Sequence, residues 1–132
     1  MNSFRQSLRA IFMRRRTEIE RAQKYMEGRP SLTAQEYSTY YFPQEEADVA
    51  AQVRTMFSQR IDLDVSRVHP DDRLVDDLRM DALDSMSTIE FVMDLEKHFN
   101  IDIPDRAAVE MRTLNDITAF IVREVQLKRN AG

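Results

Sequence analysis

The sequence predicts an all-α protein, and three observations carry that prediction. Apolar residues recur at three- and four-residue spacing through most of the chain, which is the period of a helix. Two helix-start signatures, Thr33 with Glu36 and Thr113 with Asp116, stand just ahead of such runs. No segment reads as a strand.

Taken in order, Phe4, Leu8, Ile11, Phe12, Ile19, Ala22 and Met26 support a first amphipathic helix over about residues 3–27, ended by Gly28 and Pro30. Arg5, Arg9, Arg14, Arg15, Arg16, Arg21 and Lys24 make its polar side basic. Thr33 and Glu36 form an expected capping box for a short helix through Tyr37 to Tyr41. Pro43 can open the next helix, because its missing N–H costs nothing there. Val49, Val53, Met56, Phe57 and Ile61 form that helix's buried stripe. A long connection follows, from about Asp62 to Asp84, anchored by Val68 and Leu74. A helix then occupies about 85–99, and "NIDIPD" breaks it at Pro104. A short helical turn around 105–111 precedes a last helix carrying Leu114, Ile117, Phe120, Ile121 and Val125.

Composition removes several functions. Glycine occurs only at Gly28 and Gly132, so glycine-rich phosphate loops and dinucleotide fingerprints are absent. There is no cysteine, hence no disulfide, thiolate metal site or catalytic thiol. No apolar run approaches the roughly 20 residues of a membrane span. A reducing, aqueous compartment is expected. The net charge of −4 hides an asymmetry: residues 1–30 carry eight Lys/Arg against three acids, and residues 31–132 carry eleven against twenty. The acids of the long connection fail as a calcium loop. Counted from Asp62, the sixth position is Arg67 rather than Gly, and the twelfth is Arg73 rather than Glu. Asp71, Asp72, Asp76 and Asp77 are expected to repel one another in a solvated loop, and no metal site is expected.

Residues 85–99 hold the most chemistry. On a helical wheel Val92, Leu95 and Phe99 cluster as a core face, flanked by Phe91 and Ile89. Met86, Glu90, Met93 and Lys97 lie opposite. Exposed methionine can be scattered surface, or a flexible, polarizable face that suits partners. Ser85 opens the helix. It reads as an N-cap, but a helix N-terminus also stabilises an anion, so a phosphate ester at Ser85 would sit in a favourable field. Ser85 as a hydrolase nucleophile lacks a base. His98 is about 20 Å further along the same helix, and no strand or oxyanion glycines precede the serine.

"DSMSTIEFVMDLEKHFNIDIPD", residues 84–105, resembles the acyl carrier protein signature: Asp-Ser-Leu, a helix of the type Thr-Val-Glu-Leu-Val-Met-x-Leu-Glu, then Phe-Gly-Ile-x-Ile-Pro. The match has no gap. "RLVDDL" at 73–78 resembles the family's Phe-Val-Glu-Asp-Leu, and "TLNDITAFI" at 113–121 resembles its last helix. The resemblance implies a bundle of three main helices plus a short one, preceded here by a helical N-terminal extension. It divides the chain into an extension over 1–44, an acyl carrier domain over 45–127 and a tail over 128–132.

The resemblance further implies that Ser85 carries 4′-phosphopantetheine, moved from coenzyme A by a phosphopantetheinyl transferase that recognises Asp84. Acyl groups would ride on the arm as thioesters, presented to fatty-acid, polyketide or specialised lipid synthases and transferases. Met86, Glu90, Met93 and Glu96 match positions of the family's docking face, and no catalytic residue is implied. Val92, Leu95 and Phe99, with Val53, Phe57 and Ile121, would line the core into which an acyl chain can fold. Two other readings share these residues: an unmodified carrier-like scaffold, and a peptidyl or aryl carrier.

The departures from the family pattern are informative. "DLRMDALD", residues 77–84, mimics the family's Asp-Leu-Gly-Ala-Asp-Ser-Leu-Asp and would put Ala82 at the serine. That frame needs three residues inserted after the attachment point, which turns the following stripe by about 300° off its core. Insertion before Asp84 only lengthens a loop, which favours Ser85. Arg79 stands where the family has Gly, and Ser87 and Lys97 replace commonly acidic residues, which implies a narrower, dedicated set of partners. The basic helix over 3–27 reads either as a plain surface helix with a small docking stripe or as one that meets a membrane surface, a dedicated partner or the chain's own acidic domain, rather than nucleic acid, for which no motif is present. A mitochondrial transit peptide over 1–17 is the alternative to a cytoplasmic protein. A monomer is expected.

Overall fold

A computed structural model describes residues 2–80 and 85–131, with backbone only for Asn2 and Ser85 to Ser87. Six helices are present among the described residues: α1 (Asn2–Tyr25), α2 (Ala34–Tyr41), α3 (Gln44–Arg60), α4 (Ser85–Phe99), α5 (Asp105–Ala108) and α6 (Leu114–Ala131). The fold is all-α, a carrier-like helical bundle behind an N-terminal helix, as the sequence predicts.

Local chemistry sets the helix ends. α1 unwinds through Met26 and Glu27 into Gly28, whose φ of +88° is a conformation that only glycine adopts without strain. The Thr33 hydroxyl accepts the Glu36 N–H, and the Glu36 carboxylate accepts the Thr33 N–H, which closes the capping box of α2. Pro43 sits one residue earlier than expected, as the N-cap of α3, where its carbonyl accepts from Glu46 N. At α6 the Thr113 hydroxyl accepts from Asp116 N, and Asp116 Oδ2 accepts from Thr113 N and Arg112 N. Asn100 closes α4 with φ +52°, and its carbonyl accepts from Lys128 Nζ of α6.

α3 is the hub and packs against α2, α4 and α6. Val53 and Phe57 of α3, Phe91 and Leu95 of α4, and Leu114, Ile117 and Ile121 of α6 are buried together, with the Phe57 and Phe91 rings 5.5 Å apart. Each such side chain contributes about 2 kcal/mol by leaving water. The stripe of α3 runs through Ala50, Val53, Arg54 and Phe57, while Val49, Met56 and Ile61 lie at its margin. Arg54 is buried because its guanidinium donates to the Leu32 and Thr33 carbonyls and lies over the Tyr37 ring.

The connection between α3 and α4 is more fully anchored than expected. Leu63, Val65, Leu78 and Met80 join Val68 and Leu74 in the core. An isolated antiparallel bridge between Arg73 and Thr113 ties it to the start of α6. Ala22 of α1, Met26 just beyond its end and Tyr37 of α2 belong to the same buried cluster as the bundle helices.

Candidate functional site

The segment leading to α4 is a tight strap. Asp77 and Leu78 N–H groups both donate to the Arg73 carbonyl, and Met80 N donates to Leu74 O. Buried Leu78 and Met80 pin it from below. Arg79, between them, has φ +61°, a left-handed conformation that costs a branched-out side chain about 1 kcal/mol. Arg79 is held there by Glu18 of α1, whose Oε2 accepts from Arg79 Nε. That bond holds the Glu18 carboxyl below the usual carboxylate range, against the opposing effect of its burial. Glu18 is thus a residue of the site region that sequence reasoning missed. Its only signal is an acid inside a basic helix, with an arginine standing in for a glycine far downstream.

The expected repulsion among the acids of the strap is relieved, because arginines face three of them and an asparagine the fourth. Asp72 receives both terminal nitrogens of Arg29, at 2.6 and 3.0 Å, together with His69 N. Asp77 accepts from Arg73 through both side chain and backbone, Asp76 accepts from Arg73 as well, and Asp71 accepts from Asn115. Among the described residues no group of three or more metal-ligating side chains is assembled.

Ser85 is the first residue of α4. Asp84 and the Ala82 of the competing frame lie outside the described residues, as do the side chains of Ser85 and Met86. The helix that starts here has no acid in its first turn. A helix N-terminus carries partial positive charge, so the position fits a phosphate-linked group.

Further along α4 the core face is centred on Phe91 and Leu95, 2% and 1% exposed, with Val92 and Phe99 half-buried beside them. This corrects one expectation. Ile89 does not flank the core: it is 57% exposed, because a face centred one residue earlier than Val92 turns Ile89 outward. Ile89 and Met93, 60% exposed, stand one turn apart as an apolar strip facing solvent. The acids of the helix are engaged on either side of that strip. Arg60 of α3 donates to Glu90 Oε2 at 2.6 Å and to both oxygens of Asp94, holding the Asp94 carboxyl below its usual range. Glu96 Oε2 accepts from Ile103 N, which fastens the Ile-Asp-Ile-Pro turn to the helix. Both histidines are engaged elsewhere: His98 Nε2 is 2.6 Å from Gln52 Oε1, and His69 Nδ1 accepts from Asp71 N.

The bundle, with its core on the hub helix α3 and a serine at the first position of α4, has the architecture that the sequence resemblance implies. The comparisons agree. Residues 51–121 match the family described as "Phosphopantetheine attachment site". The acyl carrier protein of Helicobacter hepaticus is 35% identical over 74 residues, which is 56% of this chain and 93% of the relative. The acyl carrier protein of Guillardia theta is 38% identical over 80 residues, 61% of this chain and 95% of the relative. The chain belongs to the phosphopantetheine-binding acyl carrier protein family, whose members act as carriers and bear a 4′-phosphopantetheine prosthetic group. Both relatives are covered almost end to end, so roughly two fifths of this chain has no counterpart in them.

Proposed function

We propose that Ser85 is the attachment point of 4′-phosphopantetheine and that the protein ferries acyl groups, as thioesters, between dedicated biosynthetic enzymes. The observation that carries this reading is the place of Ser85 at the start of α4, in ungapped register with a helix whose Phe91 and Leu95 reach the core. When bound, the arm supplies the thiol that a chain without cysteine lacks. Attachment forms a bond from Ser85 Oγ to phosphorus and breaks the pyrophosphate linkage of coenzyme A, whose adenosine half departs. The transferase takes the hydroxyl proton. Around that centre the chain's own groups do the rest. The helix mouth stabilises the phosphodiester charge. The strap from Arg73 to Met80 fixes the chain entering the site.

Ile89 and Met93 offer partners an apolar strip, and Asp84 and Met86, which precede them in the sequence, are assigned to the same docking face by the family pattern. Glu90 and Glu96 border that strip but already hold Arg60 and Ile103. Ser87 and Lys97 further lower its acidity. Docking here therefore leans more on apolar contact than on charge, which suits a dedicated enzyme set rather than every basic patch in the cell.

Intact-mass measurement after incubation with coenzyme A and a phosphopantetheinyl transferase tests the assignment. The expected result is a gain of one arm, abolished by Ser85→Ala and retained by Ser87→Ala. No gain under conditions that load an ordinary carrier would leave the unmodified scaffold as the function.

A further inference from the structure

α1 is one continuous helix with two different fates along it. Over its second half Glu18 and Ala22 are buried against the bundle and Ile19 is half-buried, and Met26, just past its end, is buried on the same side. Over its first half the same helical face carries Phe4, Leu8, Ile11 and Phe12, yet these four are 52 to 69% exposed. A single stripe therefore packs at one end and meets nothing at the other. Around the unpartnered end stand Arg5, Arg9, Arg14, Arg15 and Arg16, with no acid before Glu18.

We propose that the first half of α1 lies on the surface of an anionic lipid bilayer. Four large apolar side chains on one face, rimmed by guanidinium groups, match the boundary between acyl chains and acidic headgroups. The long arginine stems reach past the apolar layer while their charges stay with the headgroups. The apolar length is about 13 Å at helical rise, enough to lie in that boundary. Among the described residues no helix is long and apolar enough to cross it. Other occupants fit less well. The chain's own acidic body leaves this half of α1 uncovered. A second copy pairing stripe to stripe would set five arginines against five, since a two-fold contact repeats the same surface on both sides. This proposal stands apart from the assignment of Ser85, because neither the stripe nor its charge depends on the arm.

The test is co-sedimentation of the full-length, unmodified protein with vesicles. One set is phosphatidylcholine alone; the other is equal parts phosphatidylcholine and phosphatidylglycerol. Binding to the anionic vesicles is expected to exceed binding to the neutral ones by about tenfold or more and to weaken as salt is added. Phe12→Asp and the triple change Arg14→Gln, Arg15→Gln, Arg16→Gln should each lower it by about tenfold, through loss of apolar insertion and of charge respectively. All four positions are exposed, so the bundle should stay folded, which circular dichroism checks. Absence of vesicle binding overturns the proposal, as does binding that neither variant weakens. Binding to soluble poly-glutamate but not to vesicles also overturns it, in favour of an acidic protein partner. So does a dimer, seen by sedimentation, that Phe12→Asp dissociates while vesicles remain unbound.

Discussion

Glu18 Oε2 accepts the Arg79 Nε hydrogen bond at 2.5 Å, so a helix outside the region matched by the family grips the strap six residues before Ser85. The bond spans 61 positions of sequence. It makes the extension a working part of the site's frame.

Because the Arg79 contact depresses the Glu18 carboxyl, its contribution to stability should be fully present above the ordinary carboxylate range. It should fade as pH falls through the lower value Glu18 has in the folded protein. Glu18→Gln is therefore expected to lower the melting temperature at neutral pH and to match the wild type in strong acid. Thermal unfolding of both proteins across pH measures this. A gap that persists unchanged into acid would assign the effect to packing.

Asp72 is almost fully enclosed and receives both Arg29 nitrogens. Replacing it by asparagine leaves the Arg29 cation without its counter-charge and weakens the His69 N–H bond. Asp72→Asn should cost about 3 kcal/mol, read from urea denaturation. Asp105→Asn, on the exposed Asp105, serves as the control with little effect.

The Tyr37 hydroxyl is buried without a hydrogen-bond partner, and burial pushes its pKa far up. The ring itself is well used, against Tyr41, Phe42 and the Arg54 guanidinium. Tyr37→Phe removes only the orphaned group, so it should stabilise the fold by about 1 kcal/mol. A loss of similar size in denaturant melts would mean that the hydroxyl is satisfied in solution.

Ile89→Asp and Met93→Asp alter exposed positions and should leave stability within about 0.5 kcal/mol. Each should nonetheless lower kcat/KM for acyl transfer from the loaded protein by roughly tenfold, as expected when an apolar anchor is lost. Unchanged transfer by both variants would place docking on another face.

Much of this was legible in the sequence because it is local. The bounds of α4 follow from its period and from the break at Pro104, and both capping boxes are written within four residues. Long-range partners were not legible in the same way. Nothing near Asp72 announces Arg29, 43 positions earlier, so a chain of acids read as mutual repulsion. Ile89 was misplaced for a related reason. Periodicity gives the width of an apolar face, but only the neighbours decide its centre, and Phe57 of α3 draws that centre to Phe91. Arg79 showed as a departure from the family pattern, yet its compensation lies in a helix that the pattern does not include.

The continuity of α1 sets a length scale. Fourteen residues separate Phe4 from Glu18, which is about 21 Å at helical rise. Anything captured at the tip of that helix is kept within a few nanometres of the strap, whatever its bulk concentration. Cargo leaving the carrier would then meet its destination as a tethered neighbour rather than by free diffusion.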